Sequence, residues 1–353
     1  MRGKIFILKR HIKRLIYDFI LTKYSTPKKF LNLIRILFQH YIIRGKKVYG
    51  YPIKLVIDTT SYCNLKCPLC PTGRGDMSRT RGFMTFENFK KIIDEIYEWI
   101  FVVDFYNWGE PLLNKHIFSM IKYAHEKKIK TRISTNMTIM NRKIAEQIVE
   151  SGLDELIASI DGASDKTYSK YRVGGNFEKV MKNLKMLIDT KKEMKSKTPK
   201  VIWQFIIFKH NENEIEDAIK IAEEIAVDEI CFIPTRADMG KELAMKDEEK
   251  QKLFSNFFPS KKYSRYIDGR KLVKPKNCLF LWTQGVINWN GSVSGCCGIY
   301  PEKFDFGNVF EEGGFMKVWN NKKFQYARYI VKNKIVDESV FCSNCIKNGF
   351  LEP

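Results

Sequence analysis

Three cysteines on one short loop constrain this chain more than any other feature of its sequence. Cys63, Cys67 and Cys70 stand at spacings of four and three residues, directly after the apolar run 55–57. Three thiolates on a tight loop suit a four-iron cluster, because they bind three irons and leave the fourth with open coordination positions. A structural zinc ion would instead need four closed protein ligands. Short motifs also arise by chance, so structural cysteines or half of a zinc knuckle stay as the alternative.

This CxxxCxxC spacing resembles the hallmark of the radical S-adenosylmethionine (SAM) superfamily. The resemblance implies a [4Fe-4S] cluster on Cys63, Cys67 and Cys70, whose open iron chelates the amino and carboxylate groups of SAM. An electron from the cluster then cleaves SAM to a 5′-deoxyadenosyl radical, which abstracts a hydrogen atom from the substrate. It also implies a low-potential electron donor such as a ferredoxin or flavodoxin.

The composition fits a folded protein with one large domain and a smaller one. Of 353 residues, 44% are apolar and 13% aromatic, which is enough for a sizeable core. The nine cysteines come in clustered spacings, and no secretory signal is recognised before them. This pattern favours metal ligation in a reducing compartment over disulfides, so the expected location is cytoplasmic.

The basic charge is concentrated at the N-terminus. The chain has a net charge of +21, and residues 1–50 hold 13 Lys and Arg against one acid, Asp18, a net charge of +12. Apolar residues recur at helical spacing over 5–20, and Thr26-Pro27 marks the start of a second helix that extends to Ile43. Neither run reaches the ~18–20 apolar residues of a spanning helix. Two interpretations stay open: helices packed on the main domain with lysines in solvent, or peripheral binding to anionic lipid at the inner face of the membrane.

Residues 51–236 alternate between short apolar runs and helical patterns, which predicts parallel strands with helices outside. The predicted strands are Leu55–Ile57, Val102–Tyr106, Lys130–Ser134, Leu156–Ile160, Val201–Phe208 and Glu229–Ile233. The predicted helices cover residues 85–99, 114–127, 141–151, 164–190 and 214–226. Such folds place their chemistry at the carboxyl ends of the strands, where the cysteine loop lies. The superfamily resemblance implies a partial (β/α)6 barrel.

Polar residues follow the later strands at positions that resemble SAM-binding motifs of the superfamily. The stretch 107–111 resembles the GGE motif, with Trp108 in place of the first glycine. Glu110 is then implied to accept hydrogen bonds from the SAM ammonium, and Gly109 to let the backbone approach SAM. The other residues implied to bind SAM are Ser134, Asn136, Ser159, Asp161 and Arg172. Taken singly, these are also ordinary turn or surface residues. Cys231 in the sixth strand fits a small buried residue, or a hydrogen-atom donor as in some epimerases of the superfamily.

A second group of cysteines follows a basic connector at 237–277. Asn290-Gly291 is a type I′ turn signal, so 284–297 is predicted to be a hairpin that brings Cys278 close to Cys296. The spacing of the later cysteines resembles the first part of the SPASM pattern, or twitch, over residues 278–353. That resemblance implies one auxiliary [4Fe-4S] cluster, ligated by Cys278, Cys296, Cys342 and Cys345. Cys297 in place of Cys296, and a four-cysteine zinc site, are the alternatives.

The sequence therefore predicts a radical SAM oxidoreductase or transferase with four parts. These are a basic helical extension (1–50), a core barrel (51–236), a linker (237–277) and an auxiliary-cluster module (278–353). The resemblance implies oxidation, epimerisation, or carbon–carbon or carbon–sulfur bond formation. The basic N-terminus favours a membrane-associated lipid as the substrate, and a peptide, a sugar or another small molecule is the alternative. RNA modification is disfavoured, because the excess charge lies on apolar helices rather than among aromatics that stack on bases. A non-catalytic iron–sulfur or zinc protein is the alternative from another class.

Overall fold

Six parallel strands in sequential order form the centre of the molecule. The computed structural model describes residues 18–19, 22–43, 45–235, 254–264, 266–267, 270–271, 278–347 and 351. The predicted helix at 5–20 therefore lies almost wholly outside the described residues, as does most of the connector 237–277. The central strands are β1 (Lys54–Ile57), β2 (Val102–Asp104), β3 (Lys130–Thr135), β4 (Glu155–Ser159), β5 (Lys200–Ile207) and β6 (Glu229–Pro234). All six predicted strands are confirmed, with ends that differ by one or two residues.

Helices connect these strands and cover the sheet. They are α1 (Pro27–Phe38) before β1, then α2 (Phe86–Ile96), α3 (Ile117–Glu126), α4 (Arg142–Glu150), α5 (Asp165–Tyr171), α6 (Phe177–Glu193) and α7 (Ile215–Ile225). The prediction of one helix over 164–190 is wrong, because two glycines divide it into α5 and α6. Gly174 has a φ of +91°, and a Cβ at Gly175 would lie 2.6 Å from the Tyr168 hydroxyl.

The sheet stays open because β1 has a neighbour on both sides. It pairs in parallel with β2 on one side and with β9 (Gln284–Ile287) on the other. The hairpin partner of β9 is β10 (Ser292–Ser294), which pairs in turn with β11 (Gly307–Asn308). The order across the sheet is β11-β10-β9-β1-β2-β3-β4-β5-β6. Since β9 occupies the free edge of β1, β6 does not close on it, and the barrel is partial, as predicted.

The core lies between the strands and their covering helices. α2 buries residues at helical spacing, namely Phe89, Ile92, Ile93 and Ile96. α6 does the same with Val180, Leu184, Leu187 and Ile188. β1, β2 and β4 are buried along most of their length, as parallel strands between two layers should be, whereas the edge strand β6 buries only Cys231. Because β1–β6 are all parallel, their carboxyl ends lie at one rim of the molecule.

The C-terminal region confirms the predicted hairpin and corrects its turn. Of the loop residues 289–291, all of which are described, only Gly291 has a positive φ, +85°. The Gly291 amide donates to the Asn288 carbonyl at 2.9 Å. A type I′ turn would need positive φ at Asn290 too, so that prediction is wrong, and the loop is a three-residue one closed by a left-handed glycine. The other elements are β7 (Tyr266–Ile267), β8 (Arg270–Lys271), α8 (Phe280–Thr283), α9 (Phe315–Trp319), α10 (Lys322–Asn333) and α11 (Ser343–Lys347).

The N-terminal helix α1 begins where the sequence predicts. Thr26 is its N-cap and accepts the Lys29 amide through its side chain, and Pro27 is the first helical residue. A π-helical turn, Gln39–Ile43, continues α1 to the predicted end. Across the described ranges, no helix combines the length and the apolar character that a membrane crossing requires.

A buried ion pair joins the segment after the cysteine loop to the C-terminal strands. The guanidinium of Arg79 donates to both carboxylate oxygens of Asp305, at 2.8 and 2.9 Å, and to the Tyr300 carbonyl at 2.7 Å. Arg79 is 1% exposed and Asp305 8%. Breaking such a pair on one side leaves an uncompensated charge in the interior, which is far more costly than losing a surface pair.

We therefore expect Asp305→Ala to lower the free energy of unfolding by about 3–5 kcal/mol. The measurement is urea unfolding followed by circular dichroism. Asp189→Ala is the matched control, since it removes a carboxylate from the exposed Lys185–Asp189 pair and should change stability by less than about 0.5 kcal/mol. Equal losses in the two variants would show that the Arg79 pair contributes no more than a surface contact.

Candidate active site

The carboxyl ends of the central strands surround one cavity of about 500 Å³. The predicted site residues that line it are Cys63, Cys67, Cys70, Gly109, Glu110, Ser134, Asn136, Ser159 and Arg172. Asp161 lies behind this wall, fully buried. Cys231 is buried on β6 and is not among the lining residues in the described part of the chain, whereas its neighbour Phe232 is. The structure thus brings most of the predicted residues together and leaves Cys231 apart.

The cysteine loop is a compact series of turns after β1. The Cys70 amide donates to the Cys67 carbonyl at 3.1 Å, and the Lys66 amide donates to the Val173 carbonyl, in the break between α5 and α6, at 2.8 Å. Gly73 is required by the packing of the loop on itself, because a Cβ there would lie 2.6 Å from the backbone of Cys67. Sequence reasoning missed Gly73, although a glycine close behind the last cysteine was a visible signal.

Burial raises the pKa of all three thiols in this loop. The pKa of Cys63 and that of Cys67 each rise to about 11, and the pKa of Cys70 is raised as well. The thiols also raise one another's pKa, which places them within electrostatic reach of each other. Thiols with such pKa values are neutral at pH 7, so a metal centre that binds them must displace their protons.

The three thiols of the cysteine loop lie on one wall of the cavity. The thiolates of a four-iron cluster bind different irons, and therefore stand further apart than the ligands of one zinc ion. Three thiols that share a cavity wall and influence one another fit a four-iron cluster.

The loop after β2 is fixed to the loop after β1 by contacts that sequence reasoning missed. Asp58, buried at the end of β1, accepts the amides of Trp108 at 3.2 Å and Gly109 at 3.3 Å. A Cβ at Gly109 would lie 1.8 Å from the Thr60 carbonyl oxygen, so the backbone of the cysteine loop itself requires glycine here. Burial raises the pKa of Asp58 to about 6, against the effect of the amides. The signal in the sequence was the position of Asp58, an acidic residue directly after an apolar strand.

Glu110 enters the cavity as a firmly held carboxyl group. It accepts the amide of Asn136 at 2.8 Å and that of Leu112 at 3.2 Å, and its own amide donates to the Tyr62 carbonyl at 2.8 Å. Burial raises the pKa of Glu110 to about 7, although the accepted hydrogen bonds lower it. At neutral pH this group is poised between its two forms, and a cation bound beside it would favour the carboxylate.

Side chains from β3 and β4 continue the rim with uncharged polar groups. The hydroxyls of Ser134 and Ser159 lie 2.9 Å apart. The Asn136 side-chain amide donates to the Asn64 side chain at 2.9 Å, and its nitrogen lies 3.8 Å from the Cys63 sulfur. These groups can donate to and accept from the hydroxyls of a ligand.

Arg172 connects the cysteine loop to a buried acid. Its Nε donates to the Asp161 carboxylate at 2.6 Å, and a further hydrogen bond from Arg172 lowers the pKa of Cys67. Burial works to lower the pKa of Arg172, but the Asp161 carboxylate keeps it well above its ordinary value. Arg172 caps α5, at the break that the glycines create. The structure therefore places a fixed positive charge on the cavity wall.

Trp108 links this cavity to the C-terminal region. Its indole N–H donates to the Ile299 carbonyl at 3.4 Å, and its ring meets Tyr300 edge to face, with 5.5 Å between centroids. The side-chain amide of Asn107, oriented to satisfy its neighbours, donates to the Cys297 carbonyl at 3.2 Å. The signal for this contact in the sequence was Trp108, a large residue where the GGE motif has its first glycine. Sequence reasoning did not infer the contact from it.

The rest of the cavity wall is mainly apolar and aromatic. It includes Tyr106, Ile206, Phe208, Phe232, Ile233 and Phe254, with Gln204 and Thr235 as uncharged polar groups. Among the described lining residues, the charged side chains are Glu110 and Arg172. This wall is suited to an apolar or aromatic part of a substrate.

The cysteines of the C-terminal region form a second group. Burial raises the pKa of Cys278, Cys296 and Cys342. The pKa of Cys296 is also raised by Cys297, Cys342 and Cys345, that of Cys278 by Cys297, and that of Cys342 by Cys278. All five thiols are thus within electrostatic reach of a neighbour, and both Cys296 and Cys297 belong to the group.

Comparison with known proteins identifies two domains in the chain. Residues 57–225 match the model of the radical SAM superfamily, and residues 278–346 match that of SPASM, an iron–sulfur cluster-binding domain. The first implies a [4Fe-4S] cluster and SAM, and the second implies auxiliary iron–sulfur chemistry. The cofactors predicted from the sequence are thereby confirmed.

Named relatives support this assignment. The Fe-coproporphyrin III synthase of Methanosarcina barkeri is 27% identical over 76% of this chain and 73% of its own. The antilisterial bacteriocin subtilosin biosynthesis protein AlbA of Bacillus subtilis is 21% identical over 86% of this chain and 69% of its own. The crystal structure of Streptococcus suis SuiB bound to S-adenosylmethionine has a TM-score of 0.59 at 17% identity, over 91% of this chain and 78% of SuiB. The structural similarity shows a common fold.

We expect Gly109→Ala to reduce SAM cleavage at least about 100-fold, because the added methyl collides with the Thr60 carbonyl and must displace Glu110. The measurement is 5′-deoxyadenosine formation by the reduced, iron-loaded protein. Gly45→Ala is the matched control, since the nearest atom to its Cβ would be 3.5 Å away. Wild-type cleavage by Gly109→Ala would contradict a steric need for glycine.

Proposed function

We propose that this chain removes a hydrogen atom from an organic substrate held at the carboxyl ends of β1–β6. The chain belongs to the radical SAM superfamily and carries a SPASM domain. The observation that carries this proposal is the meeting of three thiols, one carboxyl group and one guanidinium on the wall of a single cavity. The three thiols are those of Cys63, Cys67 and Cys70, and the charged groups are Glu110 and Arg172.

The cysteine loop would hold the [4Fe-4S] cluster, and the strand-end residues would hold SAM. Together, the bound cluster and SAM supply a radical able to take hydrogen from an unactivated carbon. Glu110 would accept hydrogen bonds from the N–H groups of the SAM amino group, and Arg172 would pair with the SAM carboxylate through the N–H groups that Asp161 does not engage. Both side chains are held by buried partners, which would orient the amino acid part of SAM.

Uncharged groups would position the remaining parts of the ligand. Ser134, Asn136 and Ser159 lie beside one another on the rim, where hydroxyl and amide groups can bind the SAM ribose. The aromatic wall around Phe232 and Phe254 would exclude water from the reacting carbon. Exclusion of water protects a radical from side reactions.

The auxiliary site favours net oxidation or bond formation over epimerisation. Cys278, Cys296, Cys342 and Cys345 would ligate one auxiliary [4Fe-4S] cluster, with Cys297 as the alternative to Cys296. When bound, this cluster would supply an electron acceptor for an oxidation or a cross-link. Epimerisation needs a hydrogen donor inside the cavity, and the buried position of Cys231 gives that role no support.

The substrate class we favour is a peptide or another large organic molecule. One relative is named PqqA peptide cyclase, and SuiB has been crystallised with its precursor peptide SuiA. A small molecule or a membrane lipid is the alternative, and Fe-coproporphyrin III synthase represents a non-peptide case. The reaction needs a low-potential electron donor, for which a ferredoxin or flavodoxin is the natural class.

We expect the anaerobically reconstituted protein to contain about eight irons per chain and to form 5′-deoxyadenosine from SAM after reduction. Cys67→Ala should abolish SAM cleavage and leave about four irons, because the first cluster loses a ligand. Cys342→Ala should leave SAM cleavage measurable while also lowering iron by about four.

Cys231→Ala serves as the control, since a buried cysteine outside the cavity should be dispensable for both readouts. A protein that binds iron but forms no 5′-deoxyadenosine would overturn the proposed reaction. Four irons with one zinc would overturn the auxiliary iron–sulfur cluster alone.

The pH dependence of SAM binding tests the role of Glu110. Its pKa is raised to about 7, so the neutral acid dominates below pH 7 and the carboxylate above it. Because the carboxylate accepts hydrogen bonds from the SAM amino group much more strongly than the neutral acid does, the affinity for SAM should fall as the pH drops below 7, by up to about tenfold per unit. Equilibrium dialysis with the iron-loaded protein between pH 5.5 and 7.5 measures this. Glu110→Gln should bind weakly with a flat profile, and a wild-type profile in that variant would exclude the role.

A further inference from the structure

Helix α1 and the π-helical turn after it bury mostly polar side chains and expose apolar ones, which is the reverse of an ordinary surface helix. The side chains that face the protein are mostly polar: Lys29, Asn32, Gln39 and His40, with Ile36 among them. Lys29 and Asn32 are each only 1% exposed. A helix that packs on a core normally presents its apolar stripe inward and its polar residues outward, so this orientation needs a specific cause.

Hydrogen bonds to neighbouring backbone fix this orientation. Asn32 both donates to and accepts from the backbone of Tyr51, at 2.9 Å each. Gln39 accepts the amides of Tyr49 and Gly50, at 2.9 and 3.2 Å. Rotating the helix to bury its apolar residues would break these hydrogen bonds. The cost in free energy would be large, because a buried polar group without a hydrogen-bond partner is strongly destabilising. The polar inward face is therefore a stable feature.

The outward face is apolar over four turns. Its exposed residues are Phe30, Leu31, Ile34, Leu37, Phe38, Tyr41, Ile42 and Ile43. Leu31 is 63% exposed and Ile42 67%. Their spacing of three and four residues places them on one continuous strip. Contiguous apolar surface of this kind is typical of a contact with another apolar phase or molecule.

All the charged residues of the segment that carries the strip are basic. Residues 19–57 contain no Asp or Glu. Arg35, Lys46 and Lys47 are exposed on or beside the strip, and in the described ranges none of them forms a salt bridge. Lys28 is exposed as well but pairs with Glu98 at 2.7 Å. An apolar strip bordered by uncompensated cations is complementary to a surface that is apolar inside and anionic at its boundary.

We propose that the outer face of residues 27–43 is a contact surface for an anionic lipid bilayer. Its apolar side chains would enter the boundary of the acyl chains, and Arg35, Lys46 and Lys47 would meet lipid phosphates. A symmetric contact with a second copy is less favourable, because it would bring the same cations together. The surface is separate from the SAM cavity, so this proposal does not depend on the reaction.

The test is flotation of the full-length, iron-loaded protein with vesicles, under anaerobic conditions. We expect binding to vesicles of phosphatidylcholine with 30% phosphatidylglycerol, and little binding to phosphatidylcholine alone. Replacing Leu31, Ile34 and Ile42 together with Gln should lower the partition coefficient at least about tenfold. Replacing Arg35, Lys46 and Lys47 with Gln should weaken the dependence on anionic lipid and on salt.

The matched control replaces three exposed apolar residues elsewhere, Met77, Ile335 and Val336, with Gln. That variant should bind vesicles like the wild type. All variants should keep the wild-type melting curve and rate of 5′-deoxyadenosine formation, which separates this test from that of the reaction. Unchanged partitioning of the Leu31/Ile34/Ile42 variant, or no wild-type binding to anionic vesicles, would overturn the proposal. So would a wild-type dimer, measured by light scattering, that this variant converts to a monomer.

Discussion

The candidate site depends on a contact between two backbones that leaves no space for a side chain. At Gly109 the loop after β2 approaches the Thr60 carbonyl so closely that a Cβ would lie 1.8 Å from it. Asp58 accepts two amides of the same loop, and the Glu110 amide bonds to Tyr62. The cysteine loop and the carboxyl group that faces it therefore form one rigid unit, since neither can move without breaking buried hydrogen bonds.

The charged forms of the ionisable groups in and around this unit are destabilised by burial, because they lose contact with water. Burial raises the pKa of Asp58 and of Glu110, and Arg172 on the cavity wall pairs with Asp161, which lies behind it. Such a site binds a zwitterion more readily than a neutral molecule, because each charge of the ligand meets a group whose charged form it stabilises. The rest of the lining is mainly apolar and carries no charged side chain among the described residues. The cavity thus combines a few charged groups with an otherwise apolar wall.

Sequence reasoning predicted the features that depend on local pattern and failed on those that depend on distant contacts. The six strands and the cysteine loop follow from apolar runs and spacing, and the rim position of Glu110 follows from the end of β2. The partnership of Asp58 with the β2 loop spans about 50 residues and leaves no periodic trace. The orientation of α1 was also hidden, because its helical pattern is the same whichever face is buried. The break between α5 and α6 was visible as Gly174-Gly175, but the helical spacing on either side outweighed it.

The parallel pairing of β1 with β9 has a consequence for how the protein is made. The two strands are separated by more than 220 residues, and one edge of β1 has no partner until β9 has left the ribosome. At about 5–20 residues per second, this delay is on the order of tens of seconds. During that interval the nascent chain presents an apolar, unpaired strand edge beside three cysteines, a state prone to misassociation. Chaperone protection and the timing of cluster insertion would both act on this intermediate.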